Sequence, residues 1–300
     1  MSSSRSPLNR LSGKPKSEVR AAQALDPGLY LVSTPIGNLR DITLRALDVL
    51  AAADEILAED TRIARRLLDT YNIRANLSPY HDHNGAARRP DILAKLERGR
   101  AIALISDAGT PLISDPGYKL VYEVRQAGYK TFPVPGASAV LAGLVSSGLP
   151  TNRFLFCGFL PAKSAARKSE AASFAEVAAT LIFYETGPRL ASSLSDLSEV
   201  LGSDRTASVA RELTKLFEET RSASLQSLAE HYAKSPHPKG EIVVMIGPPV
   251  QKDADPKDID QALNLALEAL PIKQAAAQVA DRFRISKRDA YQRALSLKDD

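Results

Sequence analysis

The 300-residue chain contains a single cysteine, Cys157, which excludes an internal disulfide and any metal cluster built on several cysteines. No apolar run approaches the ~20 residues that a membrane-spanning helix needs, and the first residues lack the apolar core of a signal peptide. These absences predict a soluble protein of the cytoplasm with no membrane partner.

Glycine-rich motifs that bind nucleotides are also absent from the sequence. No two of the sixteen glycines are two residues apart, so neither G-x-G-x-x-G nor the usual glycine-rich methyltransferase loop is present. The phosphate-binding pattern G-x-x-x-x-G-K-[ST] is absent as well. A dinucleotide dehydrogenase and a P-loop NTPase are therefore disfavoured.

The composition is that of a globular enzyme, with 44% hydrophobic and 25% charged residues. The formal net charge is +4, and the excess of lysine and arginine is concentrated in residues 1–25 and 271–298. Such ends favour contact with a polyanion, although solvated surface charge is the alternative explanation.

Short apolar runs alternate with helical patterns, which predicts an α/β fold. Predicted strands lie at residues 28–33, 55–58, 101–105, 130–134, 154–156, 180–184, 206–210 and 241–246. A basic connector at residues 161–168 suggests a domain boundary. The predicted organisation is a disordered basic tail (1–26), an N-terminal α/β domain (27–157), a second α/β domain (158–249), and a linker with a helical extension (250–300).

Four loops rich in turn residues follow predicted strands, at residues 33–38, 106–117, 134–139 and 183–189. In open α/β sheets, ligands bind beyond the carboxyl ends of the strands. We therefore expect these loops to line one cleft. Asp107, which lies nearest the end of its strand, is favoured over Asp115 for a ligand role, although both could simply close turns.

Charged clusters at residues 59–62 and 211–215 could orient a sugar hydroxyl or a phosphate, or could be helix caps with surface ion pairs. His81 and His83 lack an evident third ligand, so no metal site is predicted.

The C-terminal residues have the pattern of two helices. An apolar stripe runs from Ile272 to Phe283, and Ser286 to Asp289 have a capping-box pattern that opens a basic second helix. A helix-turn-helix with a basic second helix binds nucleic acid in some proteins and serves packing or dimerisation in others.

Several motifs together resemble the small-subunit ribosomal RNA methyltransferases of the tetrapyrrole methylase superfamily. The motifs are LVSTPIGNL (31–39), AEDTR (58–62), SDAGTPLISDPG (106–117), PGASA (135–139), GFLP (158–161), FYE (183–185) and ARELTK (210–215). The resemblance extends over residues 27–297, including the C-terminal helical pair.

This resemblance implies a two-domain class III methyltransferase fold with a C-terminal helical extension, usually a homodimer, that binds S-adenosylmethionine between its domains. The implied reaction is 2′-O-methylation of a cytidine in the decoding region of 16S rRNA, within the small ribosomal subunit. Thr110 stands where tetrapyrrole enzymes usually have aspartate. The cofactor-binding residues that the resemblance implies are Pro35, Gly109, Thr110, Ile113, Ser138, Ala139, Glu185, Ala210 and Gly240.

A ribose 2′-hydroxyl is a poor nucleophile, so its methylation gains from positioning and from a proton acceptor. We expect catalytic roles for Asp60, Arg62 and Asp107, with Asp60 or Asp107 as the acceptor. Residues expected to contact RNA are Lys163, Arg167, Lys168, Arg211, Lys215, Lys287 and Arg288.

Two other functions are compatible with these features. One is a methyltransferase that acts on a porphyrinoid, against which the basic helical extension and residues 59–62 argue. The other is a ribosome-binding factor that has kept the fold without the activity.

Overall fold

The computed structural model describes residues 24–249, 256–283 and 285–299. The chain divides into two compact units between Pro248 and Pro249. Most of the predicted basic tail and the start of the predicted linker lie outside the described residues. Within the described part of the chain, no helix combines the length and the apolar character that crossing a bilayer requires.

The first unit begins with a parallel sheet of five strands in the order β3-β2-β4-β1-β5. Its central strands are buried on both faces, which explains why they read as unbroken apolar runs. The strands are β1 (Gly28–Val32), β2 (Glu55–Ala58), β3 (Leu77–Pro79), β4 (Ala101–Ile105) and β5 (Thr131–Val134). The helices between them are α1 (Leu44–Ala52), α2 (Thr61–Thr70), α3 (Asp82–Glu97) and α4 (Tyr118–Gln126), with a 3₁₀ helix at Leu39–Asp41.

A second, mixed sheet follows in the order β6-β7-β10-β8-β9, in which only the β6–β7 pair is parallel. Its strands are β6 (Phe154–Phe159), β7 (Thr180–Thr186), β8 (Thr206–Arg211), β9 (Glu219–Ser224) and β10 (Glu241–Ile246). The helices are α5 (Ala139–Ser146), which precedes the sheet, α6 (Ser164–Ala172), α7 (Gly187–Leu201) and α8 (Leu225–Lys234).

Helix α5 joins the two sheets. Val140 and Leu144 pack on Met245 of the second sheet, in a core that also contacts Ile36 from the loop after β1. A Cβ added at Gly143 would lie 3.0 Å from the Met245 sulfur, so the absent side chain lets the helix approach β10 closely. This packing brings the loops of the first sheet next to the ends of strands in the second.

The second unit contains α9 (Pro256–Ala269), α10 (Ile272–Phe283) and α11 (Lys287–Asp299). It has a small apolar core of its own, which includes Leu263, Val279 and Ala294. Arg293 pairs with the Asp260 carboxylate and so ties α11 to α9. The Ser286 side chain accepts the backbone N–H of Asp289, as the capping pattern predicts.

The predicted α/β class with a helical C-terminal extension is confirmed. Two strands were not predicted, namely β3, which has three residues, and β9, whose sequence ETRSAS carries no apolar alternation. The predicted boundary between residues 157 and 158 falls inside β6, whereas the last strand of the first sheet ends at Val134. The domain limits themselves stay a prediction.

Candidate active site

Loops at the carboxyl ends of the first sheet and strand ends of the second surround a cavity of about 300 Å³. The loops follow β1, β2, β4 and β5, and the second sheet contributes residues of β6, β7 and β10. The lining residues are Ile36, Glu59, Asp107, Ala108, Gly109, Thr110, Ile113, Ser114, Asp115, Ser138, Ala139, Phe159, Tyr184, Glu185 and Glu241.

The loops after β1 and β4 are joined by a two-way backbone bridge. The amide of Thr34 donates to the Gly109 carbonyl at 2.9 Å, and the amide of Gly109 donates back at 3.0 Å. The Thr110 hydroxyl lies 3.1 Å from that of Ser33 and donates to the Ala137 carbonyl of the loop after β5. Three loops are thereby held in one arrangement before any ligand binds.

Residues 106–117 also hold unusual backbone angles. Gly109 has φ 81°, and the non-glycine residues Leu112 and Ser114 have φ of 74° and 61°. Left-handed backbone costs an L-residue roughly 1–2 kcal/mol, so the surrounding contacts must impose it. Gly117 (φ 134°) ends the loop where a Cβ would lie 2.8 Å from a Leu104 methyl group. Strain of this kind is concentrated at functional sites.

The cavity is strongly acidic. Among the described residues that line it there are five carboxylates and no lysine, arginine or histidine. The five are Glu59, Asp107, Asp115, Glu185 and Glu241. Such a wall complements a cation and repels an anionic ligand.

The carboxylates perturb one another. Burial raises the pKa of Asp115 to about 6, and the charges of Glu59, Asp107 and Glu241 add to that shift. Burial, followed by the charge of Asp107, also raises the pKa of Glu59. Asp115 therefore changes charge close to neutral pH.

Glu185 is buried at the end of β7 and is already bound. It accepts the backbone N–H of Thr186 at 2.8 Å and the hydroxyl of Ser193, and Arg189 lies at 3.2 Å. These contacts fix its carboxylate within the wall.

A second cavity of about 490 Å³ adjoins the first. The two share Ile36, Asp107, Ala108 and Glu241 in their linings. The second is lined by apolar residues of α2, such as Ile63 and Leu67, and also by Arg66 and Lys215. Asp107 thus stands where an acidic cavity meets one that carries cations.

The predicted cofactor residues divide between these cavities. Six line the acidic cavity, namely Gly109, Thr110, Ile113, Ser138, Ala139 and Glu185. Pro35 and Gly240 line the adjoining cavity. Ala210 lines neither, because it is fully buried in the core formed by β8, β10 and α5. Its contact with the cofactor stays a prediction.

Of the predicted catalytic residues, Asp107 lines both cavities. Asp60 instead caps helix α2, where its carboxylate accepts the backbone N–H of Arg62 at 2.8 Å and pairs with that residue's guanidinium. The hydrogen bonds from Arg62 lower the pKa of Asp60 to about 2, which makes it a weak proton acceptor. The alternative of a helix cap with an ion pair therefore describes Asp60 and Arg62 better, whereas Glu59 lines the acidic cavity.

Most of the predicted RNA contacts are on the surface, and one is not. Lys163 is exposed, as are Lys287 and Arg288 of the second unit, and Lys215 lines the adjoining cavity. Lys168 and Arg211 are only partly exposed and are engaged by Glu199 and Glu219.

The predicted RNA contact of Arg167 is contradicted by the burial of its side chain. Its side chain is 4% exposed, pairs with Asp196 at 2.7 Å and donates to the Pro161 and Ala162 carbonyls. A guanidinium held in this way has no free donor face for a phosphate. Its role is to join α6 to α7.

Sequence reasoning missed Glu241, and it ranked Asp115 below Asp107. Glu241 belongs to β10 of the second sheet, so no local pattern connects it with the loop at residues 106–117. The only available signal for Glu241 was its position at the end of a predicted strand. Among the described residues, no cluster of three or more His, Cys, Asp or Glu side chains is arranged to hold a metal ion.

Known proteins resemble both units of the chain. Residues 28–229 match the family model described as Tetrapyrrole (Corrin/Porphyrin) Methylases, and residues 253–298 match the RsmI C-terminal HTH domain. A protein of Mesorhizobium japonicum named Ribosomal RNA small subunit methyltransferase I is 51% identical over 93% of this chain and 95% of its own length. One of the same name from Vibrio cholerae is 47% identical over 88% of this chain and 93% of its own.

Solved structures share the fold at low identity. Uroporphyrin-III-C-methyltransferase from Thermus thermophilus has a TM-score of 0.53 at 20% identity, and covers 74% of this chain and 94% of its own. A diphthine synthase has a TM-score of 0.55 at 15% identity, and covers 73% and 89%.

Proposed function

The chain belongs to the ribosomal RNA small subunit methyltransferase I family of tetrapyrrole methylases, and from that membership we propose that it methylates 16S rRNA with S-adenosylmethionine. The proposed acceptor is the ribose 2′-oxygen of a cytidine in the decoding region of the small ribosomal subunit. The observation that carries the proposal is the acidic cavity that adjoins a cation-bearing one at Asp107.

The acidic cavity fits S-adenosylmethionine. The cofactor, when bound, supplies a methyl group on a positively charged sulfur. Carboxylates complement that charge and the ammonium group of the methionine part. Asp115 and Glu241 would provide the negative charge, and the backbone of the loops at Gly109 and Ser138 would contact the uncharged parts.

Asp107 is the proposed proton acceptor. The 2′-hydroxyl must lose its proton as the oxygen is methylated, and a carboxylate within hydrogen-bond reach can take it. Asp107 is shared by both cavities, so it is adjacent to the cofactor and to the proposed substrate side. Its Oδ1 accepts the backbone N–H of Asp60 at 3.1 Å, which orients the carboxylate.

The rest of the RNA would be held by cations. Lys215, which lines the adjoining cavity and whose Nζ lies 2.9 Å from Glu212 Oε1, is proposed to contact the RNA there. Lys163, Lys168 and Arg211, with Lys287 and Arg288 of the helical unit, are proposed to contact other phosphates of the RNA.

A porphyrinoid substrate is disfavoured by the C-terminal helical unit, because residues 253–298 match the RsmI C-terminal HTH domain and the curated relatives are named for ribosomal RNA. A binding factor without activity would not need a proton acceptor between two cavities. We propose, in addition, that the protein works as a homodimer in the cytoplasm; exposed apolar residues such as Val145 offer surface for association.

The deciding experiment supplies labelled S-adenosylmethionine and small ribosomal subunits from a strain that lacks the modification. Nuclease digestion and mass spectrometry then locate the product. We expect 2′-O-methylcytidine in the rRNA. Cofactor binding without incorporation into rRNA would contradict the proposal and favour a small-molecule substrate.

A further inference from the structure

Helix α4 carries two exposed tyrosines on one face. The side chains of Tyr118 and Tyr122 are one helical turn apart and are 71% and 55% exposed. Their rings are nearly parallel, with centroids 6.5 Å apart and an angle of 28° between the planes. Large exposed aromatic surface of this kind commonly marks a binding site.

The surrounding charge is positive. Arg125, one turn beyond Tyr122, shares its face, and Lys119 flanks Tyr118; both are exposed. No carboxylate of the described residues lies within ion-pair distance of either cation. The one acid of the helix, Glu123, is occupied by Arg89 of α3 at 2.6 Å. The face therefore offers aromatic rings and free cations together, which suits an anionic partner with flat apolar groups.

This face begins next to the acidic cavity. Asp115 lines that cavity, and Tyr118 follows it by three residues. Three residues of chain span at most about 11 Å. Asp107, the proposed proton acceptor, lines this cavity as well, so a ribose held at Asp107 lies at the cavity from which this face begins.

We propose that the face formed by Tyr118, Tyr122, Lys119 and Arg125 binds single-stranded RNA beside the methylated nucleotide. An unpaired base stacks on the tyrosine rings, and the two cations contact the phosphates. Base-paired RNA would not fit, because its bases are already stacked on one another. The inference rests on the proposed function, since it assigns part of the RNA substrate to a surface.

The test uses the full chain and two probes. The first is a single-stranded oligocytidylate, and the second is the same strand with abasic sites. Tyr118→Ala and Tyr122→Ala each remove one ring, whereas Tyr118→Phe keeps the ring and removes only the hydroxyl. Leu44→Ala, which removes exposed apolar surface on α1, is the control. Cofactor binding, sedimentation and the KM for small ribosomal subunits are measured for each variant.

We expect each alanine variant to bind the oligocytidylate about tenfold more weakly, and to lose the preference for bases over abasic sites. Tyr118→Phe should keep both, and Leu44→Ala should resemble the wild type. The alanine variants should raise the KM for small subunits while cofactor affinity is unchanged.

Unchanged affinity and KM in both alanine variants would overturn the inference. A change in sedimentation mass caused by these variants would also overturn it, because a second copy of the chain would then occupy the face. If the wild type transfers no methyl group but the alanine variants still lose the base preference, the proposed function fails and the RNA surface stands.

Discussion

The backbone amide of Asp60 donates to Asp107 Oδ1 at 3.1 Å, so the chain after β2 positions the carboxylate after β4. Two aspartates that the sequence presents as equal candidates therefore have different tasks. The Asp60 side chain caps a helix, whereas that of Asp107 lines both cavities.

Replacing Asp107 by asparagine should slow methyl transfer by about 100-fold or more, since a proton acceptor contributes on that order. Asparagine keeps the size of the side chain and an oxygen for the Asp60 amide. Single-turnover assays with saturating cofactor measure the effect, and Asp48→Asn on the exposed face of α1 is the matched control. Equal loss in both variants would refute the role given to Asp107.

Cofactor affinity should fall as the pH falls through about 6. The raised pKa of Asp115 means that the carboxylate gains a proton in that range and no longer attracts a cation. Calorimetric titrations from about pH 5 to about pH 8, a range that brackets the pKa of Asp115, should show the decline. The decline should be much smaller in Asp115→Asn.

The same variant should be more stable than the wild type at neutral pH. The pKa of Asp115 is higher in the folded protein than its ordinary value of 3.8, so folding disfavours the ionised form, and the resulting loss of stability grows as the pH rises from about 4 to about 6 and is constant above that. Asparagine removes that penalty. Urea unfolding at pH 7.5 and pH 5 should therefore show a gain in stability that is larger at the higher pH.

Arg167→Ala should lower the free energy of unfolding by about 3 kcal/mol, because Asp196 would be left largely buried without its closest cation. Lys168→Ala on the same helix should cost less than about 1 kcal/mol, since Lys168 lies farther from Asp196, at 3.7 Å, and its closer ion pair with Glu199 is at the surface. Equilibrium unfolding in urea measures both. A loss of RNA affinity in Arg167→Ala with unchanged stability would restore the role in RNA binding predicted from the sequence.

Gly109→Ala and Gly128→Ala form a matched pair, because both glycines have φ 81°. Each should cost about 1–2 kcal/mol of stability through the left-handed backbone. At Gly128 nothing lies within 4 Å of the added Cβ, whereas at Gly109 it lies 3.3 Å from an Ile36 methyl group at the cavity. Only Gly109→Ala should also weaken cofactor binding. Equal cofactor affinities in the two variants would contradict the assignment of this loop to the cofactor.

The sequence allowed the cleft loops to be predicted because turn residues directly follow apolar strands, as at Asp107 and Gly109. It did not reveal Arg167 as buried, since a basic connector of small residues gives no indication of which helical face packs. Arg167 and Ala171, four residues apart, both turn inward. The shifted pKa of Asp115 was also beyond local reasoning, because one of the charges responsible belongs to Glu241 at the start of β10.

The bridge between Thr34 and Gly109 affects the thermodynamics of ligand capture. Because the two loops are ordered when the sheet forms, their loss of conformational freedom is part of the folding free energy, and binding need not supply it. The part of the cavity wall formed by these two loops is thus already ordered in the free protein, and the affinity for a ligand is not reduced by the cost of ordering it.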